Sequence, residues 1–313
     1  MCSRLHGADA SGAVLFRKKL RRDQVLKLLA AQPACTVAME ACGSSHYWAR
    51  TIARLGHKVR LIAPNYVKSF VKRQKNDAAD AEAICEAVQR PTMRFVAVKS
   101  AEQQAAAVVF RARDLLVRQR TQTINAIRGH LAEFGMVAPQ GFFHVAKLVS
   151  AIEGDDTNIP ELAQPILRLL VEQLQSLDEK VALLDRELAR RAKENAEAKR
   201  PMTIPRIGPI TATALVALAP PAQAFKGGRD FAAWLGLTPL QRSTGGKQKL
   251  GETSRMGERT LRRLLIIGAS AAARWAMRKG STADPWLARM LARKPPMLVI
   301  VALANRWHVS SGH

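Results

Sequence analysis

Acidic residues are scarce in this chain of 313 residues: 25 Asp and Glu stand against 49 Lys and Arg, a formal net charge of +24 at pH 7. That imbalance points to a polyanionic partner, with nucleic acid the usual case and an anionic membrane surface the alternative. Long apolar runs are missing too. No stretch of about 18 apolar residues occurs, so no segment is suited to span a bilayer. Cysteine is confined to Cys2, Cys35, Cys42 and Cys85, without C-x-x-C spacing. A disulfide framework and a zinc site are thereby disfavoured, and a reducing cytoplasm fits. Aromatics make up only 5%, too few for a base-stacking platform on single strands to be the main binding mode. The G-x-x-x-x-G-K signature of a phosphate-cradling P-loop is absent. The opening, Met1 to Leu20, is poor in apolar residues and rich in Arg and Lys, unlike a secretory leader. A cytoplasmic, nucleoid-associated protein is the expectation.

What is present suffices for real cores: 48% of residues are hydrophobic, and the length allows two or three domains. Residues 12–16 and 35–39, followed by 59–63 and Phe95 to Val98, read as strands. Asp23 to Ala31, the stretch from Ser44 through Trp48 to Leu55, and residues 77–90 read as helices. Strands alternating with helices predict a crossover α/β sheet. From about Ala101 the character changes. Residues 101–133 and 161–198 read as long helices, the second with Leu167, Leu170, Leu174, Leu177, Val181, Leu184 and Leu188 recurring at threes and fours, as in a coiled coil. Residues 135–160 read as loop-rich. A compact region begins at Pro201, with apolar helices around 211–219 and 260–277. The expected division is 1–100, 101–200 and 201–313.

In a basic chain the placement of acids carries information. Asp77 and Asp80 lie in Lys75-Asn76-Asp77-Ala78-Ala79-Asp80, just after Lys68, Lys72 and Arg73. Three residues apart on a helix, they share a face. With an inward stripe of Ala81, Ile84, Cys85 and Val88, both acids extend that stripe toward the helix start, while Glu82 and Glu86 fall on the solvent side. The bland alternative is that the acids cap the helix and match its dipole. Glu40 argues for more: it ends a strand of buried type, where ligand sites of α/β sheets collect, and a lone charge there is costly unless paired or metal-bound. Three converging carboxylates would form a hard-oxygen site for Mg²⁺ or Mn²⁺.

A second constellation surrounds Arg242-Ser243-Thr244-Gly245-Gly246-Lys247, with Arg262 further on. Glycines let backbone amides approach a phosphate, and the cations add charge. Ser243 is a candidate nucleophile toward a phosphodiester, with Thr244 second to it; from spacing alone, an ordinary polar loop with a tight turn is the stronger reading. A third signal, Ile204-Pro205-Arg206-Ile207-Gly208-Pro209, looks like the hairpin of a helix-hairpin-helix, whose amides hold DNA phosphates without reading sequence. Many such hairpins carry glycine where this chain has Arg206.

Taken in order, Met39-Glu40-Ala41-Cys42-Gly43, the stretch from Tyr66-Val67-Lys68 to Asp80-Ala81, Leu235-Gly236-Leu237-Thr238-Pro239 and Ser243-Thr244-Gly245-Gly246-Lys247 resemble one family across almost the whole chain. It is the insertion-sequence transposases with an RuvC-like DEDD domain followed by a serine-bearing transposase domain, related to the Piv-type DNA invertases. The resemblance implies an α/β RNase H-like (RuvC-like) N-terminal domain, a helical coiled-coil middle and a small, mostly helical C-terminal domain. It implies DNA recombination, in some members guided by a structured bridging RNA. Carried over by residue, Glu40, Asp77 and Asp80 are the last three acids of the DEDD set and bind the metal, and Ser243 links covalently to a DNA end. Lys68, Lys72, Arg73 and Lys75 are the expected contacts to backbone phosphates, and Arg242, Lys247 and Arg262 the stabilisers of added negative charge.

The resemblance has one departure. The family's first Asp lies on its first strand, whereas this chain opens on residues like those just after it, and Asp9 matches a later, non-catalytic position. An expected consequence is a domain without its central strand, and an inactive remnant is one alternative function. A metal-dependent nuclease or junction resolvase is the other. The helical middle predicts a homo-oligomer, dimer or tetramer.

Overall fold

The computed structural model describes residues 2–72, 76–139, 141, 144–154, 158–279 and 284–307. The chain divides into two compact units, Met1–Gln104 and Ala105–His313.

The first unit opens with an antiparallel hairpin, β1 (Cys2–Ala8) and β2 (Val14–Arg21). Only part of β2 is foreshadowed by the apolar run at 12–16; the rest is basic and mostly exposed, so hydrophobic patterning does not reveal it. Asp9 builds the turn. Its Oδ1 accepts from the Ser11 hydroxyl at 2.6 Å and from the Ser11 and Ala13 amides at 2.9 Å each. The Ser11 hydroxyl, followed by the Ala13 amide, holds this carboxyl below the usual range. Asp9 is thus committed to a turn.

Next come α1 (Arg22–Ala30), β3 (Thr36–Glu40), α2 (Ser45–Ala53), β4 (Lys58–Ile62), the short α3 (Pro64–Val67), α4 (Asp77–Val88) and β5 (Phe95–Val96). Strands β3 and β4 are parallel, with Thr36 opposite Lys58 and Glu40 opposite Ile62, and α2 makes the crossover. β5 joins antiparallel at Ile62 and Leu61. The hairpin and this three-stranded sheet share no ladder hydrogen bonds among the described residues. Strand alternation sorts the core. Val37 and Met39 pack with Val25, Leu29 and Ile52 from α1 and α2. Ala38 points the other way and packs with Ile62, Ala83 and Ala87. Buried His57 ties the layers: its Nε2 lies 2.9 Å from the Leu29 carbonyl and its Nδ1 lies 3.3 Å from the Cys35 amide. Those partners assign a neutral ring with the proton on Nε2.

The second unit is helical. α5 (Ala101–Glu133), α6 (Val145–Glu153) and α7 (Gln164–Glu194) come first. Arg113 pairs with Asp185; one heptad further along α5 and one heptad back along α7, Arg120 pairs with Asp178. That offset fixes the two long helices as an antiparallel pair. Beyond the ion pairs, Ile127 and Leu131 meet Leu167, Val171 and Leu174. α6 lies in the stretch expected to be loop-rich. Its Val145, Leu148 and Ile152 are spaced by three and four and are buried in the same cluster.

Then follow α8 (Ala196–Met202), α9 (Pro209–Leu218), α10 (Gly228–Trp234), the hairpin β6 (Pro239–Gln241) and β7 (Leu250–Thr253), α11 (Arg259–Lys279), α12 (Pro285–Arg293) and α13 (Pro296–Arg306). One core joins Phe110 of α5 and Leu188 of α7 to Leu235, Leu261, Leu265, Val299 and Leu303, so the ends of the long pair and the C-terminal helices are packed as one body. Among the described residues, no helix is long and apolar enough to cross a membrane.

Candidate functional site

Helix α4 is capped by Asn76. Its Oδ1 accepts from the amides of Ala78 and Ala79, both at 2.9 Å, satisfying two of the four donors a helix start leaves open. Asp77 and Asp80, which sequence alone left as possible caps, are therefore not the cap. The buried stripe runs through Ala83, Ile84, Ala87 and Val88, displaced from the expected 81-84-85-88, with the small Ala83 and Ala87 buried in one cluster with Ala38 and Ile62 of the sheet. Asp80, three before Ala83 and four before Ile84, extends this stripe and is half-buried; Asp77 is exposed. The opposite face holds the acids with conventional partners. Glu82 lies 3.1 Å from Lys72 and 3.3 Å from Arg17, and Glu86 lies 2.6 Å from Arg90. The hydrogen bond from Lys72 holds the Glu82 carboxyl below its ordinary range.

Glu40 closes β3, half-buried. By alternation it shares a sheet face with Ala38, the face on which α4 packs. Just beyond it, Ser44 turns the chain at φ 68° and Ser45 opens α2. The Ser45 hydroxyl is buried without a partner among the described residues, a feature that sequence reasoning did not single out. Glu40, Asp77 and Asp80 form no ion pair among the described residues. As donors they suit a hard divalent cation in kind. Among the described residues, however, no three His, Cys, Asp or Glu side chains are gathered as a metal-holding group. The carboxylates share a layer, but the structure does not assemble them into a closed site.

Of the expected phosphate contacts, Lys68 stands in a 3₁₀ turn after α3 and Lys72 is engaged by Glu82. Arg73 and Lys75 lie outside the described residues.

The serine loop is an exposed arm rather than an irregular loop. Thr244 and Lys247 bridge across Gly245 and Gly246, whose φ values of 55° and 74° define the tight hairpin turn that glycine pairs favour. The Ser243 Oγ donates to Gln241 Oε1 at 3.2 Å and accepts from the Lys249 amide at 3.1 Å. Neither partner can take up the hydroxyl proton, so the arm holds Ser243 in place without activating it. Arg242, Lys247 and Lys249 surround it with positive charge. The arm is anchored at its base by crossed backbones: a Cβ on Gly236 would strike Met256, and one on Gly257 would strike the Trp234 carbonyl. Arg262 braces this crossing, donating at 2.8 Å to the carbonyls of both Leu235 and Met256. Burial, with Arg259 and Arg255 nearby, lowers its pKa. Expected as a charge stabiliser, Arg262 thus has a structural task that spacing did not reveal.

The family model described as "Transposase IS116/IS110/IS902 family" matches residues 198–283, and the DEDD model of the IS110 group, described as "Transposase", matches residues 5–136. A probable family 20 transposase of Pseudomonas aeruginosa is 46% identical over 304 residues, covering 96% of this chain and 90% of that protein. The chain belongs to the IS110/IS116 transposase family. A putative transposase, y4pF/y4sB, of Sinorhizobium fredii is also 46% identical, over 96% of this chain and 78% of its own length. The transposase of insertion sequence element IS1328 from Yersinia enterocolitica is 39% identical, over 96% and 90%. The DEDD match contains Glu40, Asp77 and Asp80; the other contains the Ser243 arm and Arg262.

Proposed function

We propose that this transposase-family chain cuts and rejoins DNA through Ser243, with Glu40, Asp77 and Asp80 binding Mg²⁺ or Mn²⁺ in the assembled complex. The observation that carries the reading is that Asp77 and Asp80 neither cap α4 nor form an ion pair among the described residues, since Asn76 is the cap and Glu82 and Glu86 take the ion pairs. The N-terminal unit is read as RuvC-like on the strength of the DEDD match, with DNA as substrate and a structured RNA of the element as guide. A homo-oligomer working in the nucleoid-containing cytoplasm completes the reading.

In the chemistry proposed, the Ser243 oxygen forms a bond to phosphorus while the bond from phosphorus to one sugar oxygen breaks. The serine proton leaves to solvent and the departing oxygen is protonated. Reversal onto a new sugar hydroxyl rejoins the strand and frees the serine. Arg242 and Lys247 balance the charge that develops on the phosphate oxygens. A bound divalent cation would supply Lewis-acid polarisation of the phosphate.

The test is a suicide substrate, a nicked DNA junction that traps a covalent intermediate. The expected result is a protein–DNA adduct with the wild-type chain and none with Ser243→Ala. An adduct of undiminished yield in Ser243→Ala refutes the nucleophile. The second reading, hydrolysis by water, is favoured because neither hydrogen-bond partner of the Ser243 hydroxyl among the described residues is a base; it predicts cleaved DNA with free 5′-phosphates and no adduct.

A further inference from the structure

A basic concavity of the C-terminal unit is lined by none of the candidate acids and by no residue of the serine arm. It is an open cavity of about 480 Å³ lined by Arg206, Ala271, Arg274, Trp275, Met277 and Arg278. Ala271, Arg274, Trp275 and Arg278 recur at threes and fours, one face of α11. Arg206 arrives from the hairpin ahead of α9, and its guanidinium lies 5.2 Å from the centre of the Trp275 ring. None of the three arginines forms an ion pair among the described residues.

Arg206 sits at φ 71°, the left-handed region where glycine is the low-cost choice. The hairpin is held against α11: a Cβ on Gly268 would approach the Arg206 carbonyl to 2.9 Å. An arginine in a glycine conformation carries strain of about 1 kcal/mol, offset in part by its contact with Trp275. Strain retained beside a cluster of cations that form no ion pair among the described residues is a mark of function.

We propose that this cavity is a binding site for the phosphodiester backbone of duplex DNA, with Arg206, Arg274 and Arg278 as the contacts. Guanidinium forks suit phosphate oxygens better than ammonium groups do. Two elements supply them, so they converge from both sides of the cavity. Trp275 is covered on one side by Arg206, so the surface offers charge rather than a stacking platform for unpaired bases. Contacts of this kind position DNA without reading its sequence.

The experiment is fluorescence anisotropy of the full chain on a 30-base-pair duplex of arbitrary sequence across a salt series. Each lost phosphate contact is expected to lower the salt exponent of the binding constant by about 0.9. Arg274→Ala/Arg278→Ala therefore lowers it by about 1.8. Arg206→Gly lowers it by about 0.9 while leaving the melting temperature unchanged or raised, because glycine relieves the backbone strain. Unchanged affinity and exponent in both variants overturn the proposal, as does a loss confined to single-stranded DNA or RNA. The proposal rests on the nucleic-acid reading of the chain, and the two fail differently. Absence of duplex binding by the wild-type chain sinks both, whereas wild-type binding that the variants retain sinks only the cavity.

Discussion

Replacing Asn76 by alanine separates two roles that adjoin on α4. Asn76 Oδ1 holds the amides of Ala78 and Ala79 at 2.9 Å; losing such a cap costs about 1 kcal/mol. A free-energy change of that size is about fivefold in an opening equilibrium. Amide exchange in a peptide covering residues 77–88 is therefore expected to speed up about fivefold in Asn76→Ala. Asp77→Asn and Asp80→Asn remove only a favourable dipole interaction, worth ~0.3–1 kcal/mol for exposed groups, so their exchange accelerates by less. Function should divide the other way. The two Asp variants lose Mg²⁺-dependent DNA cleavage, while Asn76→Ala retains it once folded. If Asp80→Asn accelerates exchange as much as Asn76→Ala and cleavage survives, the acids are structural and the proposed role fails. If Asn76→Ala leaves exchange unchanged, the cap itself is misassigned.

The crossing of Gly236 and Gly257 leaves no room for a side chain, and both glycines have positive φ, 71° and 80°. Gly257→Ala is expected to destabilise the C-terminal unit by about 3–5 kcal/mol, seen as a lowered denaturant midpoint; an unchanged midpoint would show the crossing to be loose. On α7, Glu187 accepts from Arg190 and Arg191, and these hydrogen bonds lower its pKa to about 2. A depressed carboxylate contributes stability that is fully present above its ordinary pKa of 4.5 and is lost as pH falls through the folded value. The stability difference between wild type and Glu187→Gln should therefore be constant above pH 4.5 and fade toward pH 2. Because the Glu187 side chain is only partly covered, this contribution should also shrink in high salt, and a difference that persisted below pH 2 would contradict the assignment.

Regular patterning made much of this fold legible. Residues 101–133 were readable as one helix from their composition, and α5 has those bounds; the leucines of α7 mark its buried edge, with Leu167, Leu174, Leu177 and Leu188 inside. The parallel pair β3 and β4 followed from apolar runs closed by Glu40 and Pro64. Apart from α6, what escaped was structure without apolar periodicity. β1 and β2 are held by backbone pairing and by the Asp9 turn, and the side chains of β2 are mostly exposed. The serine arm is likewise exposed along its length, so only the Gly245-Gly246 pair hints at a hairpin. The candidate acids stood out in the sequence because acids are rare in this chain. The duties of the candidate residues did not: that Asn76 rather than Asp77 caps α4, and that Arg262 braces two carbonyls, depends on partners distant in sequence or on rotamers that no spacing encodes.

The antiparallel pair of α5 and α7 has a mechanical corollary. At about 1.5 Å per residue, the 31 residues of α7 make a strut of about 45 Å, comparable to ~13 base pairs of duplex at 3.4 Å each. Deleting a single residue from one member would turn everything beyond it by about 100°, pulling Arg120 away from Asp178 and misdirecting Ile127 and Leu131, which meet Leu167 and Val171 at the far end. Deleting one whole heptad from each member would instead shorten the strut by about 10 Å and keep the seam aligned. The pair thus acts as a ruler whose length can be changed only in fixed steps.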